Sequence, residues 1–191
     1  MKEGEKKKRK VWPFLIAIIF LMLVIGGMFF YFATASPNKP RAGTEIKNPI
    51  QGLTNEQAVL QFNEEYVDYL VFAIGGWKLH NPPLSDETPK IKVVVDEEIF
   101  VSEIINGEIK TEKKEIENED IIIKTTKQEI VNSILSLDIK KYIQYSAQEG
   151  KTTLELKASY PTLFSKGYLN IYEDITGKSF TGSVVRIFAQ G

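Results

Sequence analysis

The chain has 191 residues, 43% apolar and 26% charged, which excludes wholesale disorder and suits one ordinary domain plus an appendage. The formal charge of −1 hides an asymmetry. Residues 1–10 hold six Lys/Arg and two Glu, and the remainder keeps 18 basic against 23 acidic residues. A body of that sign is not a generic nucleic-acid surface, so nucleic acid is not an expected partner. No cysteine and a single histidine exclude disulfides, thiolate chemistry and multi-histidine metal centres.

Residues 11–35 carry no charge, and 14–32 are nearly all aliphatic, aromatic or glycine. At about 1.5 Å per residue the longer stretch spans a hydrocarbon layer about 30 Å thick. Trp12 and Tyr31 sit near its ends, where amphipathic rings favour the membrane interface. Ala33-Thr34-Ala35 resembles a cleavage site, but the apolar run exceeds the usual signal core of about 7–15 residues. The expectation is an uncleaved transmembrane anchor with membrane lipid around it. Lys6-Lys7-Lys8-Arg9-Lys10 abuts the span, against Lys39, Arg41 and Lys47 beyond it. That asymmetry predicts a cytoplasmic N-terminus (residues 1–10) and an extracytoplasmic C-terminal domain. Residues 36–52, with Pro37, Pro40, Pro49, Gly43 and Gly52, read as a linker, and the folded domain is expected over 53–191.

Thr54-Asn55-Glu56-Gln57 has capping-box spacing, and Val59, Phe62, Tyr66, Leu70 and Ala73 follow at helical intervals. A single amphipathic helix over 54–74 is predicted, ended by Gly75-Gly76. Residues 77–89 read as a loop carrying His80 on the surface. Residues 90–96 alternate as a strand, and strands 99–105 and 108–113 flank the hairpin signal Asn106-Gly107. Residues 120–126 form a further strand, whose Ile121-Ile122-Ile123 run suggests burial on both faces.

Thr126 opens a helix with Ile130, Ile134 and Leu137 as its stripe. A second runs over 138–148 with Ile139, Ile143 and Ala147 on one side, stopped by Gly150. Residues 152–158 read as a strand, 163–175 as a helix and 184–188 as a short final strand.

Several of these passages together resemble a family. They are Asn106-Gly107-Glu108-Ile109, Asp120-Ile121-Ile122-Ile123-Lys124-Thr125-Thr126, Gln128-Glu129-Ile130, and Gly150-Lys151 followed by Leu154-Glu155-Leu156. In this order the chain is similar to sterol carrier protein 2 (SCP2-like) domains over about residues 53–175. It departs from the family where Lys157-Ala158-Ser159 stands in place of a glycine after the last strand. The resemblance implies an α+β fold, a mostly antiparallel sheet of about five strands covered by helices. It also implies an apolar tunnel between sheet and helices for a lipid or other apolar small-molecule ligand. Phe62, Tyr66, Tyr69, Phe72, Phe164, Tyr168 and Tyr172, on the two wide apolar helix faces, are the candidate ligand-binding residues. The alternative is that they fill a core and the domain is a scaffold for a protein partner.

No catalytic constellation stands out. Gly150-Lys151-Thr152 and Gly177-Lys178-Ser179 end like a phosphate-binding loop, but Tyr145 and Tyr172 occupy the required glycine positions. Both read as turns after helices. Glu97-Glu98 and residues 117–120 lack calcium-loop spacing and read as solvated turns. Neither an enzymatic activity nor a cofactor or metal is expected.

Overall fold

The computed structural model describes residues 18–24 and 46–179. Two units divide at Pro37 and Asn38. In the first, residues 18–24 are helical and solvent-exposed, and the rest of the expected span at 11–35 lies outside the described residues. Among the described residues no helix is long and apolar enough to cross a membrane.

The second unit is an α+β layer. Its elements in chain order are α1 (Asn55–Leu60), α2 (Glu64–Ala73), a 3-10 turn (Gly76–Lys78), β1 (Lys90–Val95), β2 (Glu98–Ile105), β3 (Glu108–Glu112), β4 (Ile121–Thr125), α3 (Lys127–Leu135), α4 (Ile139–Gln148), β5 (Thr153–Leu156), α5 (Tyr160–Lys166) and α6 (Tyr168–Thr176). The strands lie in the order β3-β2-β1-β4-β5. All neighbours are antiparallel except the central β1–β4 pair, which is parallel with Val93 opposite Ile123. The expected strand at 184–188 lies outside the described residues.

Local chemistry accounts for most boundaries. Thr54 caps α1 reciprocally with Gln57, Thr126 caps α3 through the Glu129 amide, and Asp138 caps α4 through that of Lys141. Asn106 and Gly107 both take positive φ, 54° and 82°, which the two-residue hairpin turn requires.

Two predicted helices are each two helices. The stretch expected as one helix over 54–74 breaks at residues 61–63, where the Asn63 side chain accepts the Glu65 N–H and starts α2. A short polar side chain that bonds its own backbone competes with helix continuation. The helix expected over 163–175 starts earlier, at Tyr160, and breaks at Gly167, whose φ of 88° is left-handed.

On β1 the buried side chains Ile91, Val93 and Val95 alternate with half-buried ones. Their register partners Phe100, Ser102, Ile121 and Ile123 share that inner face, and the helices cover it. On the opposite face Ile122 is also buried at 7%, as its position in a three-isoleucine run suggested. The 113–120 connection crosses there: Lys92 Nζ donates to the Ile116 carbonyl at 3.3 Å and faces Glu119. The core also reaches before residue 53, since Ile50 is buried and Ile46 packs on it.

Candidate functional site

Two polar constellations lie within this packing. The first sits under the inner sheet face, in a pocket of about 20 Å³. Leu70, Ile74, Ile123, Ile143 and Ile175 make its apolar floor, and a chain of hydroxyl groups makes one wall. Ser146 Oγ donates to Glu129 Oε2 at 2.8 Å, and the Tyr142 hydroxyl donates to the same oxygen at 3.3 Å. The Ser146, Thr152 and Thr125 hydroxyls continue the chain at 2.8 and 3.0 Å. Burial, ahead of any neighbour, pushes the Tyr142 phenol up. A site of this size accommodates about one water molecule.

The second is a buried ion pair at the start of β4. Asp120 and Lys166 are each 4% exposed, and Tyr168 is 1% exposed. Lys166 Nζ donates to both Asp120 oxygens at 2.8 and 3.1 Å, and to the Thr88 carbonyl at 3.4 Å. Asp120 Oδ2 also accepts the Lys90 N–H at 2.8 Å and the Tyr168 hydroxyl at 2.9 Å. Every acceptor and donor is used, as a buried pair requires. Burial first, with Asp120 beside it, holds the Tyr168 phenol well above the usual tyrosine range. A cleft of about 110 Å³ lined by Glu87, Asn118 and Lys90 opens over the pair. The node fastens the starts of β1 and β4 to the junction of α5 and α6.

The seven predicted ligand-binding aromatics do not converge. Phe62, Tyr66 and Phe100 form one aromatic cluster, with ring centroids 5.1 and 5.9 Å apart. Tyr69 and Phe72 pack half-buried against the core. Phe164 is 60% exposed and stacks on Tyr160, so it faces away from the interior. Tyr168 is packed and bonded to Asp120, and Tyr172 is half-buried on α6. None of the seven lines the inner pocket or the cleft.

Asp120 departs from the solvated acidic turn expected over 117–120: it is buried against Lys166. The available signal was a pair of mismatches: a carboxylate next to an all-buried strand, and a lysine three residues after Leu163 on an apolar stripe. His80 is exposed, as read; its N–H donates to the Lys166 carbonyl at 3.3 Å. Gly150 and Gly177 close helices with φ of 73° and 66°, so both Gly-Lys sequences are turns. Among the described residues no group of three or more His, Cys, Asp or Glu is placed to hold a metal ion.

Asp68 on α2 is a third polar feature. Its Oδ1 is buried without a hydrogen-bond partner among the described residues. Burial raises its carboxyl above the usual range; hydrogen bonds from Thr111 oppose this, and Glu65 and Glu64 add to it. A folded-state value above the unfolded one means stability present at low pH and lost as pH rises through the folded value. Asp68→Asn is therefore expected to melt higher than wild type at pH 7, with the gap closing towards pH 4. A lower melting temperature for the variant at pH 7 would sink the idea.

The class these features define is an α+β domain with a five-stranded mixed sheet, one face packed under helices, and a fully bonded ion pair at one corner. No family model and no curated protein matches the sequence. Among solved structures, part of the stereoselective inverting sec-alkylsulfatase Pisa1 from Pseudomonas sp. is similar, with a TM-score of 0.36 and 13% identity over 54% of this chain and 16% of that one. A double mutant of the sec-alkylsulfatase PisA1 has a TM-score of 0.34 and 15% identity over 60% of this chain and 17% of its own. The likeness is distant, and the chain spans less than a fifth of those chains.

Proposed function

We propose that residues 46–179 are a protein-interaction module, tethered to a membrane by the apolar segment 11–35, with a filled core in place of a ligand tunnel. The observation that carries this reading is the inner pocket of about 20 Å³. A site for a lipid-sized molecule needs roughly 300–1,000 Å³. The exposed, stacked Tyr160 and Phe164 supply aromatic surface of the kind enriched at protein interfaces.

An SCP2-like carrier of an apolar ligand is the second reading. The arrangement in its favour is the inner pocket itself, where an apolar floor meets the Glu129 carboxylate, a pairing suited to an amphiphile once the helices part. Organic extraction of the purified chain followed by mass spectrometry separates the two. The interaction module carries no stoichiometric lipid and gives no saturable titration with a fluorescent fatty acid. One lipid per chain, lost on Ile143→Asp, would establish the carrier and overturn the filled-core reading.

The tether is tested by protease added to intact cells. It is expected to remove the domain and spare an N-terminal tag. Full protection of the domain would reverse the orientation.

A further inference from the structure

We propose that the inner pocket binds a small primary ammonium cation, of the size of ammonium or methylammonium. The assignment follows from where the hydroxyl hydrogens go. A carboxylate only accepts, so the Ser146 hydrogen is committed to Glu129 Oε2 at 2.8 Å. The 2.8 Å contact between Ser146 and Thr152 is then donated by Thr152, and the 3.0 Å contact between Thr152 and Thr125 by Thr125. Tyr142 commits its hydrogen to the same Glu129 oxygen, and Ser133 commits its own to the Ile130 carbonyl at 2.7 Å. These are the five hydroxyls that line the pocket, and none keeps a hydrogen for an occupant. Thr125, Ser133, Ser146 and Thr152 are 1–8% exposed, so bulk water does not reorient them.

The wall therefore presents lone pairs beside one carboxylate. Among the described residues Glu129 has no ion-pair partner, and its Oε1 accepts no hydrogen bond. Lys151 bears on the Tyr142 phenol only through space, and its side chain is exposed. An anion finds no donor in such a pocket. A water molecule finds acceptors for its hydrogens but no donor for its own lone pairs. An ammonium head only donates and carries the charge opposite to Glu129, and the carboxylate offsets its lost hydration. About 20 Å³ leaves room for one such head, with the apolar floor beside it for a methyl group. This goes beyond the filled-core reading, since a core without a lipid tunnel still holds a cavity of this size.

The test is a titration of the full chain in detergent micelles, read by the isotope-labelled methyl signals of Ile123, Ile143 and Ile175. Ammonium chloride and methylammonium chloride are expected to give saturable shifts there. Potassium chloride and tetramethylammonium chloride, at matched ionic strength, are expected to give none. Potassium has the charge and size of ammonium without its N–H groups, and the tetramethyl ion has neither N–H groups nor room. Glu129→Gln keeps an oxygen for the Ser146 and Tyr142 hydroxyls, and is expected to bind methylammonium about tenfold or more weakly. The comparison of salts on the wild-type chain decides the matter even where that variant fails to fold. No saturation with ammonium or methylammonium would overturn the proposal. So would equal shifts from potassium, which assigns a general cation site, or an unchanged affinity in Glu129→Gln. Lipid in the organic extract would overturn the filled-core reading without touching the comparison of salts.

Discussion

Lys166→Met is expected to destabilise the domain by about 3–5 kcal/mol, a large share of the roughly 5–15 kcal/mol that holds a domain folded. The substitution keeps most of the packed stem and removes the ammonium with its charge and its hydrogen bonds to Asp120 and the Thr88 carbonyl. Asp120 then keeps the Lys90 N–H and the Tyr168 hydroxyl but loses the donor that contacts both of its oxygens. At 4% exposure Asp120 meets little water, and only through the cleft over the pair, so the donor is poorly replaced. The cost belongs to breaking the pair, because an isolated buried charge has no compensation. Urea denaturation measures it, and Lys151→Met, at an exposed lysine, is the control expected within about 0.5 kcal/mol of wild type. Combining Lys166→Met with Asp120→Asn should cost at least about 1 kcal/mol less than the sum of the two single changes. A loss under about 1 kcal/mol for Lys166→Met, or strict additivity in the double variant, would show that the ion pair does not hold this corner.

Truncating two aromatics of the seven should give opposite results. Tyr168→Ala is expected to cost about 3–5 kcal/mol, the range for large-to-small changes at a fully buried ring. Tyr168→Phe isolates the hydroxyl, whose bond to Asp120 should contribute about 1.5–3 kcal/mol because the acceptor is charged. Phe164→Ala, four residues earlier, should cost no more than about 1 kcal/mol, since most of that ring already faces solvent and only its stacking on Tyr160 is lost. Thermal and urea unfolding of the three variants decide it. Similar losses at 164 and 168 would contradict a buried Tyr168 beside a solvent-facing Phe164. Because Phe164→Ala leaves the fold intact, it is also the variant in which partner binding through the aromatic pair can be measured.

The placement of these residues separates what was legible in the chain from what was not. The Asn106-Gly107 hairpin, the caps at Thr54, Thr126 and Asp138, and the two-sided burial of β4 all depend on a few neighbouring residues, and the sequence displays each of them. The breaks at Asn63 and Gly167 were visible in principle as a short polar residue and a glycine within apolar stripes. Periodicity passes over them because the stripe continues on both sides.

Local patterns along the chain were enough for an α+β alternation, the five strands between residues 90 and 156, the charged N-terminus and the uncharged run that follows it. These depend on spacing and on local backbone preferences, which act within about one turn or one hairpin. The parallel pairing of β1 with β4, and the buried site shared by Asp120 and Lys166, 46 residues apart, arise from long-range packing. The same packing scatters the aromatics of the 61–63 break, α2, α5 and α6 between core and surface. Periodicity marks a side chain as facing a neighbour, but not whether the neighbours meet. How much space two packed layers leave between them follows from the summed volumes and rotamers of side chains far apart in sequence. No single stretch of the chain carries that information.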